Sequence, residues 1–222
     1  MRKNENRKYG FTLAETLLIL VIVGVISIMV LPTIQSMSEK REFVNRARKG
    51  YSVLQQTTYR IAAELGYPVG DFDFIGRQDF FPIFLRQIKK IKICTEANQG
   101  CFHSGHSTAL DSSTAENYDH AETVVSDDGI AYGWELAITN PTVCSNKGFY
   151  PEDIANCKGI FIVDVNGNGA PNRHGRDIFF FGAIDGKGIV PAGSGNKSAD
   201  CNVGNKGFTC AAKVLRDSRM AY

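Results

Sequence analysis

Gly10-Phe11-Thr12-Leu13-Ala14-Glu15 opens directly onto the apolar run TLLILVIVGVISIMVL, Thr16 to Leu31, and this junction decides how the rest of the chain is read. Phe11 to Leu31 is 21 residues with a single charge, the length of one membrane-spanning helix. The charge is Glu15, close to the start of the span. A carboxylate inside a bilayer costs about 2.5–3.5 kcal/mol on insertion scales, so its retention points to a use. A cleavable secretory signal has a shorter apolar core and a small-x-small site. Leu31-Pro32-Thr33-Ile34 offers neither.

Upstream of the junction stands a short basic leader, MRKNENRKYG, with four basic residues and one acid. A charged leader, the string Gly10 to Glu15 and an apolar span of this length together resemble the N-terminal signal of type IV pilins and type II secretion pseudopilins. The resemblance covers roughly the first 35 residues and is weaker beyond them. It implies cleavage between Gly10 and Phe11 by a membrane-embedded prepilin peptidase, then methylation of the Phe11 amine. It places the family's acid on Glu15, its mid-span small residue on Gly24 and its helix-bending proline on Pro32. The implied role of Glu15 is to pair with the N-terminal amine of a neighbouring subunit during filament assembly. Two charges in lipid are each costly alone, and pairing offsets part of both costs. A snorkelling Glu15 is the simpler alternative. Gly24 and Ser27 would let helices approach closely. The implied partners are other pilin or pseudopilin subunits, the prepilin peptidase and an inner-membrane assembly platform. The chain would then be a substrate of an enzyme and not an enzyme itself.

The whole chain carries 25 basic and 23 acidic residues, and without the leader 21 and 22. There is no basic stripe interleaved with aromatics, so nucleic-acid binding is not expected. Basic residues flank the span on both sides: the leader on one, and Lys40, Arg41, Arg46, Arg48 and Lys49 on the other. Charge alone therefore barely orients the helix. Cysteine breaks the tie. All six (Cys94, Cys101, Cys144, Cys157, Cys201 and Cys210) follow the span, as expected for disulfides in an oxidising compartment. Six cysteines allow 15 pairings, and pairing of sequence neighbours is the expectation. No Cys-x-x-Cys spacing supports zinc. The expected location is the cytoplasmic membrane, with the head outside the cytoplasm.

The expected organisation is a leader over 1–10, a transmembrane and stalk helix over 11–66, and a disulfide-braced head over 67–222. Beyond Pro32, where a bend is expected, apolar or small residues recur every seven positions. One row is Met37, Val44, Tyr51, Thr58 and Leu65; another is Ala47, Leu54 and Ile61. This is the stripe of an amphipathic helix, and Gly66-Tyr67-Pro68 reads as its end. Asp79 to Ile93 reads as a second helix, with Asp79 as cap. Asn98 to Tyr118 reads as a polar surface loop. Thr123–Val125, Ile130–Tyr132, Gly159–Val165 and Asp177–Ile184 read as strands, and Ala211–Met220 as a terminal helix. The fold class is α+β: a long helix packed on an antiparallel sheet of three to five strands, which resembles the pilin head.

Within the head, Asp164, Asn166, Asn168 and Gly169 match positions 1, 3, 5 and 6 of a calcium loop. The match fails at position 12, where Gly175 stands, so Asp177 or Asp153 would have to substitute. Some pseudopilins hold calcium in a head loop, which lends the idea family support. The plainer reading is a tight Asn/Gly/Pro connection between strands. His103 and His106 read as solvated loop residues, and Asp71, Asp73 and Asp79 as turn and cap residues. The alternative for the whole chain is a single-pass anchored binding protein or adhesin.

Overall fold

The computed structural model describes residues 10, 12–68, 70–76, 80–120, 122–137, 142–195 and 200–222. Leader residues 1–9, Phe11 and Asp79 lie outside them, as does the side chain of Pro32. Helix α1 runs Leu13–Leu65. The chain divides into two units, 1–39 and 40–222, and the boundary between them falls inside α1.

In the first unit every described side chain from Leu13 to Leu31 is exposed except Ser27, which is half-buried. α1 is long and apolar enough to cross a membrane.

In the second unit α1 buries Phe43, Val44, Ala47, Leu54, Ile61 and Ala62, the stripe set by its helical period. The helix ends as the sequence indicates. Gly66 takes φ +76°, Tyr67 N–H donates to the Ala62 carbonyl at 2.9 Å and Gly66 N–H to that of Ala63 at 3.4 Å. These two bonds form a Schellman cap, which needs a residue free to adopt positive φ. Gly50 serves a different purpose. A Cβ there would stand 2.9 Å from Val163 Cγ1, so its absence lets the helix lie close on the sheet.

That sheet has six antiparallel strands in sequence order: β1 Lys90–Cys94, β2 Thr123–Ser126, β3 Ala131–Leu136, β4 Cys157–Asp164, β5 Ile178–Ile184 and β6 Gly188–Pro191. The short helices are α2 Phe80–Gln87, α3 Pro151–Ala155 and α4 Cys210–Asp217. The α+β class is as expected, but the strand count and the second helix are corrected: the sheet has six strands where three to five were expected. The second helix stops at Gln87, and Lys90–Cys94 is an edge strand instead. Its Ile91 and Ile93 are β-branched, its side chains are exposed up to Cys94, and its lysines guard a free edge. β6 and α3 were not foreseen.

The sheet is a middle layer. Phe161 and Val163 of β4 and Phe179 and Phe181 of β5 face α1 and α2. The alternate residues Ile160, Ile162, Ile178 and Phe180 join a second core with Phe102, Tyr118, Val143 and Phe149. Irregular chain covers that second face. The stretch read as a surface loop is therefore partly buried: Phe102, Ser107, Ala109, Leu110 and Tyr118 are all interior. Asp119, 1% exposed, organises its start by accepting the backbone N–H groups of Gly100, Cys101 and Phe102. Disulfides Cys94–Cys101, Cys144–Cys157 and Cys201–Cys210 join sequence neighbours. Each fastens part of this covering layer to β1, β4 or α4.

Candidate functional site

The first candidate is the start of α1. Thr12 N–H and Thr12 Oγ1–H both donate to Glu15 Oε2 at 3.0 Å, and Glu15 N–H donates back to Thr12 Oγ1 at 3.2 Å. This reciprocal pair is a capping box, Thr-x-x-Glu at Ncap and N3, and it satisfies helix N–H groups that have no intrahelical partner. The motif is legible in the sequence as Thr12-Leu13-Ala14-Glu15. Glu15 therefore has a local role before any neighbour arrives. The other hydroxyls of the run are served in the same way: Thr16 donates to the Leu13 carbonyl at 2.8 Å and Ser27 to that of Val23 at 2.7 Å. Such back-bonding is what a helix in a medium without water requires. Gly24 has nothing within 4 Å of the position its Cβ would take, so that face is open to a second helix. Gly10 is equally open.

The second candidate is the β4–β5 connection. Asp164 and Asp177 do come together, both fully buried. Asp164 Oδ1 accepts Asn166 N–H at 3.1 Å, an Asx turn. Asp177 accepts Asn172 N–H at 2.7 Å on one oxygen and Arg173 N–H at 2.6 Å on the other. Burial pushes both carboxyls up, Asp177 to about 6, and the neighbouring Asp177 charge raises Asp164 further. Asn166 turns its Nδ2 to the Ala170 carbonyl at 2.8 Å. Exposed Asn168 has its Nδ2 3.8 Å from where a Cβ on Gly100 would stand. The buried oxygens Asp164 Oδ2, Asn166 Oδ1 and Asn172 Oδ1 have no hydrogen-bond partner. A cation would have to use these three, while Asp177 already spends both oxygens on the backbone.

The connection also carries His174, fully buried, which sequence reasoning did not single out. Its Nδ1 contacts the Lys206 carbonyl at 3.2 Å and its Nε2 contacts Tyr118 Oη at 3.0 Å. A carbonyl only accepts, so the proton is assigned to Nδ1 and Nε2 accepts from the phenol. Burial pushes His174 down to about 4. It is a satisfied core histidine. Loop residues His103 and His106 are exposed, and His106 Nδ1 contacts the Ala115 carbonyl at 2.8 Å.

The acidic group predicted around Asp71 and Asp73 gains Asp185. It already contains a counter-charge, since Lys158 Nζ pairs with Asp73 and lies 3.6 Å from Asp185. No protein-family model, curated protein or solved structure matches the chain.

Proposed function

We propose that the chain is a filament subunit of the type IV pilin or type II secretion pseudopilin kind, with the pilin version of the α+β fold. It is made with a leader, anchored in the cytoplasmic membrane by the apolar part of α1, cleaved after Gly10 and methylated at Phe11. It then packs with other subunits, helices inside and disulfide-braced heads outside, in the periplasm or at the cell surface. Its partners are those subunits, the prepilin peptidase and an inner-membrane assembly platform. It has no catalytic role of its own.

One observation carries this reading: the string Gly10 to Glu15 opens an apolar run, 16–31, whose side chains among the described residues are exposed but for the half-buried Ser27. A filament core would cover them. Co-expression with a prepilin peptidase tests the proposal. The native chain should lose ten residues and gain a methyl group by mass spectrometry, while Gly10→Val should keep its leader and fail to enter filaments. A native chain that keeps Met1 would overturn the reading.

A second reading, an anchored extracytoplasmic binding protein, draws on the capping box. Thr12 gives Glu15 a use that requires no neighbour. A chain of that kind would be indifferent to substitution at Gly10.

A further inference from the structure

The C-terminal half of α1 forms one wall of a cleft beside the start of β1. Lys49, Val53, Thr57 and Arg60 stand at steps of three or four residues, the spacing that lines up side chains on one side of a helix. The opposite wall is the connection from α2 to β1, with Ile88 and Lys89, and the β2–β3 turn, with Asp127 and Asp128. Asp127 N–H donates to the Lys89 carbonyl at 3.1 Å and ties these two segments together. The cleft holds about 180 Å³, the room of roughly six waters at ~30 Å³ each.

Five charged side chains line it. Two of them are spent on one another: Lys49 pairs with Asp128 at 2.8 Å. The other three, Arg60, Lys89 and Asp127, make no side-chain hydrogen bond or ion pair among the described residues, although they border the same small space. Thr57 is in a similar condition. It is 3% exposed. The adjacent Thr58 donates to the Leu54 carbonyl at 2.8 Å, but the Thr57 hydroxyl has no partner among the described residues. A hydroxyl so placed is normally bonded by something, and here the cleft is where a partner can enter.

Opposite charges that border one cleft without meeting suit a ligand that carries both signs. The free groups amount to two positive charges and one negative. A ligand with two carboxylates and one ammonium mirrors that set, and charge-assisted bonds of this kind are the strong ones. The volume admits a single residue and no peptide. Val53 and Ile88 supply apolar wall for the methylene carbon between the charged ends.

We infer that this cleft is a binding site for a free acidic α-amino acid, glutamate or aspartate. Arg60 and Lys89 hold one carboxylate each, the Thr57 hydroxyl donates to a carboxylate oxygen, and Asp127 accepts from the ammonium. The inference concerns residues 40–222 alone and stands apart from the filament reading.

The test is titration calorimetry on the full chain in detergent. L-Glutamate or L-aspartate should bind about tenfold more tightly than the matching amide, which lacks the second carboxylate, or the matching diacid, glutarate or succinate, which lacks the ammonium. Arg60→Gln should weaken the amino acid about tenfold. Asp127→Asn should weaken it by a similar factor yet leave the diacid no weaker, a split that a merely loosened fold would not produce. Arg41→Gln, exposed and outside the cleft, should change nothing. No heat with either amino acid would overturn the site. A diacid or an amide that binds as tightly as the amino acid would overturn the assignment of its ligand, and equal losses in the Arg41 and Arg60 variants would overturn the location.

Discussion

Glu15 is the residue on which two roles converge. As N3 of a capping box it stabilises the first turn of α1, and removing such a cap costs about 0.5–2 kcal/mol. As a carboxylate within an apolar run it is available to a neighbour's amine. The roles separate by mutation. Thr12→Ala removes the two bonds of the threonine hydroxyl but keeps the backbone N–H bond and the charge; Glu15→Gln keeps hydrogen-bonding capacity but removes the charge. Both should still be processed. Filament yield should fall far more in Glu15→Gln than in Thr12→Ala, measured as sheared fibre per cell. Equal yields would leave Glu15 as a helix cap alone.

His174 gives a pH dependence with a definite sign. Its neutral form is favoured in the fold, with a pKa near 4 against about 6.5 in an unfolded chain. Its contribution is whole above about pH 6.5 and is lost as the pH falls toward 4, about 3 kcal/mol in all. Asp177 acts oppositely. Its folded pKa is raised to about 6, so its contribution is present at low pH and lost as the pH rises through 6. The native chain should therefore show a shallow profile. In detergent-solubilised chain, the stability advantage of wild type over His174→Gln should shrink by about 2–3 kcal/mol between pH 7 and pH 4 in urea titrations. A constant gap would contradict the buried neutral imidazole.

Among the elements, α1 and β4 are matched through Gly50. Alanine is the better helix former by about 1 kcal/mol, but its Cβ would press on Val163 Cγ1 at 2.9 Å. The β-branched valine cannot swing away cheaply, and overpacking costs about 1–3 kcal/mol. Gly50→Ala should lower the melting temperature; Gly50→Ala with Val163→Ala should recover part of the loss. The β4–β5 connection makes its own turn through Asp164 and Asp177. Millimolar calcium should leave the melting temperature unchanged, and a rise of several degrees would assign Asp164 Oδ2 and Asn166 Oδ1 to a cation.

For the whole molecule, the disulfides matter through the layer they fasten. Loops of this length contribute roughly 2–3 kcal/mol per bridge. Cys144→Ser with Cys157→Ser should loosen the second core, read as greater side-chain methyl mobility by NMR relaxation at Ile160 and Ile162 than at Val163. Equal mobility on both faces would argue against separate layers. The strands of β4 and β5 read in the sequence as unbroken apolar runs, and this was the legible hint that both sheet faces are covered. What covers them was not legible. The covering chain has no period of its own and buries single residues such as Phe102 and Tyr118 between polar ones. The edge strand β1 is illegible for a related reason: Lys89-Lys90-Ile91-Lys92-Ile93 fits a helix surface and an alternating strand equally, and only pairing with β2 decides.

The sequence by itself determined the apolar run, its basic flanks, the buried stripe and Gly66 stop of α1, and the positions of the main strands along the chain. These depend on periodicity and on local backbone chemistry, which short stretches carry. The tertiary structure alone decided the covered second face, the burial of His174 beside Tyr118, and the close approach of α1 to β4 at Gly50. Those contacts join residues tens to more than a hundred positions apart, and no local pattern encodes which distant side chain will fill a given gap.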